Sequence, residues 1–153
     1  MNQTTFLTPA GLDRLKAELE ELKTGKRPLV IQRIKEAVSH GDLKENSEYD
    51  DAKNEQGFIE GRIAELEALL KNSQVVSGGS DNGAATLGSV VTVKHSGSTS
   101  SFTIVSPAEA DPTGGLISNE SPLGEALLGK KTGDKAAVET PKGRTTYTLT
   151  KIK

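Results

Sequence analysis

A long antiparallel helical hairpin of coiled-coil type, followed by a small C-terminal α+β domain, is the architecture to expect of this chain. Three observations carry that expectation. Apolar residues recur at steps of three and four through the first 75 residues, the spacing of one helix face. From about residue 84 short β-rich runs take over, separated by Gly- and Pro-containing turns. Between the two lies Ser77-Gly78-Gly79-Ser80-Asp81-Asn82-Gly83, polar and Gly-rich with nothing to bury, which reads as a linker. The expected division is residues 1–76 for the hairpin, 77–83 for the linker and 84–153 for the C-terminal domain.

The first arm opens with Thr8 as N-cap and Pro9 at the first helical position, where its missing N–H is not needed. Leu12, Leu15, Leu19 and Leu22 then form a heptad seam. Beyond them the apolar frame restarts out of phase as Ile31, Ile34 and Val38, so a kink or break is expected across Gly25 and Pro28. The arm reads to about Ser39, with Gly41 as a left-handed terminator. The second arm begins near Asn46 or Ser47, and Glu48, Asp50 and Asp51 crowd its first turn, where the helix dipole favours negative charge. Its seam is Tyr49, Ala52, Gln56, Ile59, Ile63, Leu66 and Leu70. Two arms of about 28–30 residues, each about 40–45 Å long at 1.5 Å per residue, follow from this pattern. Seam spacing alone favours a dimerising coiled coil or a bundle fragment, and something further must decide for the hairpin.

In the second half, strands are expected at Gly88–Lys94, Ser101–Val105, Lys135–Glu139 and Thr145–Ile152, with Pro141-Lys142-Gly143 turning between the last two. Ser121-Pro122 starts a short helix through Leu128, closed by Gly129. The composition narrows the function classes. Hydrophobic residues are 33% of the chain and only five residues are aromatic, a lean supply for a thick core that suits a long exposed helical element. Cysteine is absent, which excludes disulfides and thiolate metal sites and fits a reducing cytoplasm. No apolar run reaches the roughly 18 residues of a membrane span. A net charge of −2 gives no general affinity for nucleic acid.

That near-neutral total conceals a dipole. Glu36 to Glu55 hold seven acids against Lys44 and Lys53, while Lys23 to Lys35 hold five bases (Lys23, Lys26, Arg27, Arg33, Lys35) and no acid. Like charge gathered at the end of a stalk is unfavourable for stability. Helix capping accounts for Glu48, Asp50 and Asp51. Asp42 and Glu45 lie before the second helix, in the turn itself, where capping does not need both. Two turn carboxylates three residues apart can share a hard cation such as Mg²⁺, but cannot complete its octahedral shell, so a partner would supply the remainder. A solvated acidic turn is the plainer alternative. The basic shaft behind it could lie along phosphates or an acidic wall. His40 beside the turn reads as a solvated loop histidine, and Tyr49 as a packing residue.

The stretch Gly41-Asp42-Leu43-Lys44-Glu45-Asn46-Ser47-Glu48-Tyr49, continuing through Glu55-Gln56-Gly57-Phe58-Ile59-Glu60-Gly61-Arg62-Ile63, closely resembles the tip and second arm of the Gre family of bacterial transcript-cleavage factors. Residues 117–134, Ile-Ser-Asn-Glu-Ser-Pro-Leu-Gly-Glu-Ala-Leu-Leu-Gly-Lys-Lys-Thr-Gly-Asp, resemble that family's C-terminal segment. The resemblance implies an N-terminal coiled-coil hairpin and a C-terminal domain like the FK506-binding-protein fold. In such factors the C-terminal domain docks at the rim of the secondary channel of bacterial RNA polymerase and the hairpin reaches down it. Tip carboxylates help hold the second Mg²⁺ of the polymerase's own active site and activate the water that cuts backtracked RNA. Asp42 and Glu45 match that acidic pair and are the catalytic and metal-holding candidates. Gly41, Leu43, Lys44, Asn46, Glu48 and Tyr49 are expected to shape the tip, and Arg27, Arg33, Lys35, Ser121, Pro122, Leu123 and Gly124 to contact polymerase or RNA.

On this reading the protein is a coactivator and the polymerase the nuclease. Mg²⁺ is shared with the polymerase and not held stably by the factor alone. The partner is RNA polymerase, with nascent RNA and DNA met only inside the elongation complex, no membrane, and a cytoplasmic monomer. Leu43-Lys44 and Gln56 to Arg62 resemble the A-type of the family, for which short cleavage products are expected. Asp50-Asp51 departs from the His-containing pair usual after the tyrosine. A channel-binding inhibitor with the same fold is the alternative. A prolyl isomerase would need aromatic pocket walls, for which this half offers only Phe102 and Tyr147, and a coiled-coil dimerisation module would give a stable dimer.

Overall fold

The structure, a computed structural model, describes residues 3–39 and 47–153. By contact the chain groups into two units, Leu12–Asn72 and Met1–Gly11 together with Ser73–Lys153. The expected boundary at residue 76 therefore does not coincide with the contact grouping. The first eleven residues, and the segment expected to end the hairpin and form the linker, gather with the sheet.

Helix α1 (Pro9–Glu21) runs through a five-residue π-helical stretch (Leu22–Lys26) into α2 (Arg27–Ser39), and α3 (Ser47–Lys71) forms the second arm. Leu15, Leu22, Val30 and Ala37 are buried on the first arm, and Ala52, Ile59, Ile63 and Leu66 on the second. Each large aliphatic side chain so buried contributes about 1.5–3 kcal/mol. The expected seam of α3 is therefore the observed one, although α3 has 25 residues, fewer than expected. Ion pairs Lys23–Glu67, Arg27–Glu60 and Arg33–Glu55 link the arms, and their partner numbers fall as the first rises. The arms are thus antiparallel.

The phase shift on the first arm is corrected in kind and in position. The helix does not break there; the Arg27 N–H donates to the Leu22 carbonyl across five residues, the π pattern. Pro28 has no N–H and its ring crowds the carbonyl four residues back, so an α-helix passing through it is strained. A single widened turn relieves that strain and adds one residue to the frame. The inward stripe resumes at Val30 and Ala37, while Ile31 and Val38, expected inside, are 37% and 48% exposed.

In the other unit, β1 (Thr5–Leu7) pairs in parallel with β2 (Ser73–Val75). A small hairpin of β3 (Ser80–Asp81) and β4 (Ala84–Ala85) follows. The main sheet has the order β7-β6-β5-β9-β8, built from β5 (Val90–His95), β6 (Ser98–Val105), β7 (Leu116–Ser118), β8 (Lys135–Thr140) and β9 (Gly143–Ile152). Helix α4 (Pro122–Leu127) contributes Leu127 to its core, beside Val91, Val93, Ile104, Ile117, Ala136 and Leu149. The four expected strands correspond to β5, β6, β8 and β9. The segment read as a linker carries a turn: Asn82 and Gly83 both have positive φ, at 54° and 83°, as a two-residue type I′ hairpin requires. Ser96 and Gly97 do the same between β5 and β6.

Candidate functional site

The distal end of the hairpin is built on small and acidic residues. Ala37 and Ala52 are both at most 2% exposed, and the register set by Arg27–Glu60 and Arg33–Glu55 places them at the same level of the two arms. Small side chains there let the arms approach closely. Ser47 begins α3, and Glu48 and Asp50 stand in its first turn, where backbone N–H groups without helical partners favour carboxylates. Tyr49 is half-buried and Glu48 exposed. Among the described residues, Arg33, Glu36, Ser39 and Glu48 line a polar recess of about 370 Å³ at this end. The Ser39 hydroxyl donates to the Glu36 carbonyl at 2.5 Å, tightening the last turn of α2. Asp42 and Glu45, the expected catalytic pair, lie outside the described residues, as do His40, Gly41, Leu43, Lys44 and Asn46. Among the described residues no group of three or more His, Asp or Glu side chains could hold a metal ion.

Behind the tip, the basic stretch is not the bare positive shaft that a count along one arm suggests. The Arg27 guanidinium forks onto Glu60, with Nε and Nη2 donating at 2.7 and 2.8 Å. Those bonds hold the Glu60 carboxyl below its usual range and raise Arg27. Arg33 pairs with Glu55, and Lys23 with Glu67. Arg62 forks in turn onto Glu18 at 2.7 and 3.0 Å and reaches Glu65 at 3.1 Å. Hydrogen bonding to Arg62 lowers Glu18, and the same bonds raise Arg62 further. Three of the five bases from Lys23 to Lys35 are therefore met by acids of α3. The periodic Glu residues of α3 could have revealed this, read at antiparallel register rather than along one arm.

The C-terminal candidates have structural work of their own. The Ser121 hydroxyl caps α4, accepting from the Gly124 N–H at 3.1 Å and donating to the Ser118 carbonyl at 2.6 Å. Gly124 is buried, and a Cβ there would lie 1.9 Å from the Ser118 oxygen, so only glycine fits. Leu123 packs against the sheet core. Pro122 alone of the four is exposed. Sequence reasoning passed over Glu109, which is 3% exposed and grips the start of the first arm; a lone Glu after Ser-Pro-Ala carries no local signal of that role.

No helix among the described residues is long and apolar enough to cross a membrane. Residues 5–75 match the family described as Transcription elongation factor, N-terminal, and residues 80–153 match Transcription elongation factor, GreA/GreB, C-term. Transcription elongation factor GreA of Bacillus anthracis is 47% identical over 154 residues, covering 99% of this chain and 98% of that protein. The GreA of Lactococcus lactis subsp. cremoris is 49% identical over 155 residues, covering 99% of both. A solved structure of the transcription factor Gfh1 is 36% identical, covers 99% of both chains and superposes with a TM-score of 0.50. With both halves matched in order and the relatives aligned end to end, the chain belongs to the GreA/GreB family of transcription elongation factors.

Proposed function

We propose that this elongation factor binds RNA polymerase, inserts its acidic hairpin tip through the secondary channel and stimulates the polymerase's own Mg²⁺-dependent cleavage of backtracked RNA. The observation that most supports the reading is the hairpin itself. Its second arm, 25 residues of continuous helix or about 37 Å, ends at the acidic turn and is tied along its length to the first arm by ion pairs. A buried seam and forked pairs stiffen such a stalk, so the described arms lose little conformational freedom on insertion. Asp42 and Glu45 are the carboxylates proposed to act there. Two hard oxygen donors suit magnesium, and the polymerase would supply the remaining ligands. The ion would contribute charge stabilisation and an acidified water.

The protein is on this reading a coactivator and not itself a nuclease, and acts as a cytoplasmic monomer. The sheet with α4 against it is read as a docking domain akin to the FK506-binding-protein fold, with Ser121 to Gly124 at its contact and Pro122 as the exposed member. Arg27, Arg33 and Lys35 are read as shaft contacts; for Arg27 and Arg33 this means sharing or exchanging Glu60 and Glu55 for phosphate or channel-wall groups.

The test is a backtracked elongation complex carrying 3′-labelled RNA. The wild-type protein should release short 3′ fragments, while Asp42→Asn and Glu45→Gln should bind polymerase normally and release almost none. Normal cleavage by both variants would remove the carboxylate mechanism. Slowed elongation without fragments from the wild type would establish the inhibitory reading instead.

A further inference from the structure

In the sheet-containing unit, a cleft of about 490 Å³ opens between the first described residues of the chain and the segments 106–108 and 119–120. Phe6, Leu87 and Pro107 give it apolar wall, and Gln3, Thr4, Thr5, Ser106, Asn119 and Glu120 polar wall. Among the described residues, Ser106 Oγ and Asn119 Oδ1 are the buried side-chain oxygens without a hydrogen-bond partner. Buried polar atoms are almost always paired, so two orphans in the lining of one cleft ask for an explanation.

The local backbone shows how each oxygen is left over. Ser106 is 5% exposed and sits at the N-cap of the turn Pro107–Glu109, yet its hydroxyl makes no cap bond. The Glu109 N–H goes to the Ser106 carbonyl instead, at 3.0 Å. Ser121, at the equivalent place before α4, commits its hydroxyl twice. Asn119 is anchored by its own N–H, which donates to the Val105 carbonyl at 2.8 Å, and that bond leaves Oδ1 unanswered. A serine hydroxyl turns about one bond, and an amide about two, so presenting these oxygens to the cleft needs only side-chain rotation.

We propose that this cleft seats an arginine side chain of the RNA polymerase on which the factor docks, an inference that rests on the docking reading above. An amide oxygen only accepts, a serine oxygen can accept, and the Glu120 carboxylate adds negative charge. Among the described residues no Lys, Arg or His lines the cleft. The matching group donates, accepts nothing and is positive. Guanidinium meets that description with five N–H groups in a planar fork able to reach two acceptors at once, where an ammonium is a point donor. Phe6, 43% exposed, offers a ring face on which such a plane can lie. A phosphate of RNA would find hydroxyl and amide donors here but would be repelled by the Glu120 carboxylate, with no described cation in the lining to offset it. Asn119 and Glu120 also run directly into Ser121-Pro122, the segment assigned to polymerase contact.

The test uses the full-length ¹⁵N-labelled protein, titrated with N-acetyl-arginine amide and, separately, with N-acetyl-norleucine amide. Arginine amide should give saturable shifts at the Ser106 and Asn119 amides, at least about tenfold stronger than norleucine amide. Asn119→Leu should abolish them, and Asn119→Asp, which keeps the shape and adds charge, should strengthen them. Equal response to norleucine amide, no response, or indifference to both substitutions overturns the seat. Binding to core polymerase separates this from the docking reading. Asn119→Lys, folded by thermal melt, should bind at least about tenfold more weakly than wild type. If Asn119→Lys binds as the wild type does, the seat is wrong and docking stands. If the wild type itself fails to bind, docking is wrong and the polymerase is not the source of the arginine.

Discussion

The Glu109 carboxylate holds Thr8 by two atoms: Oε2 accepts the Thr8 N–H at 2.9 Å and Oε1 the Thr8 hydroxyl at 2.6 Å. Thr8 in turn caps α1, its Oγ1 accepting the Gly11 N–H at 3.1 Å. One carboxylate from 101 residues away thus completes the N-terminus of the first arm, where the helix dipole favours its charge. Gly11 has no side chain because a Cβ there would stand 1.7 Å from Glu109 Oε1.

Removing that carboxylate should be costly. Glu109→Ala strands two part-buried donors on Thr8 and should lower stability by about 1–3 kcal/mol, read as a reduced urea midpoint. Gly11→Ala should lower it comparably, and combining the two should cost less than their sum, because the clash disappears with the glutamate. Strict additivity would show that the two positions do not meet.

The π-helical stretch makes a sharper prediction. Deleting Gly25 alone forces an α-helical path through Pro28 and should cost about 3 kcal/mol. Deleting Gly25 together with Pro28→Ala should restore stability to within about 1 kcal/mol of wild type, because the shortened frame still carries Val30 and Ala37 inward. Thermal melts of the two variants decide it, and an equally unstable double variant would mean the extra residue serves something other than the proline.

Glu18 shows how the hairpin should respond to acid. Its folded pKa lies below the ordinary 4.5, chiefly through the hydrogen bond from Arg62. The paired carboxylate therefore contributes stability that is complete above pH 4.5 and is lost as the pH falls through the lowered folded value. The pair is over a third exposed, so screening limits it to about 0.3–1 kcal/mol. Glu18→Gln should remove that contribution at pH 7, and its difference from wild type should shrink as the pH falls below 4.5, as chemical denaturation over a pH series would show.

Gly57 and Gly61 break helix propensity on an exposed face with no atom within 4 Å of a Cβ at either position. Alanine at each should raise stability by about 1 kcal/mol. Phe58 between them is 80% exposed, so Phe58→Ala should change stability by less than about 0.5 kcal/mol. A loss of RNA cleavage in any of these stable variants would mark this face as one that a partner packs against.

Much of the architecture was legible in the residues because period and capping are local. The α3 seam from Ala52 to Leu66, the Thr8 and Ser121 caps, and strands β5, β6, β8 and β9 all follow from spacing and side-chain type within a few residues. The Asn82-Gly83 turn was equally local but sat in a segment too polar to suggest a strand. Sequence placed Asp42 and Glu45 in the turn between two helices by chemistry and resemblance. Tertiary structure decided what depends on approach across the chain. Which bases of the first arm are already spent on Glu55, Glu60 and Glu67 is set by antiparallel register. The choice of Val30 and Ala37 over Ile31 and Val38 follows from one widened turn. The partnership of Glu109 with Thr8, and the two unanswered oxygens of Ser106 and Asn119, arise where distant segments meet. Hydrogen bonding acts over about 3 Å in space, whatever the separation along the chain, and no local pattern encodes that distance.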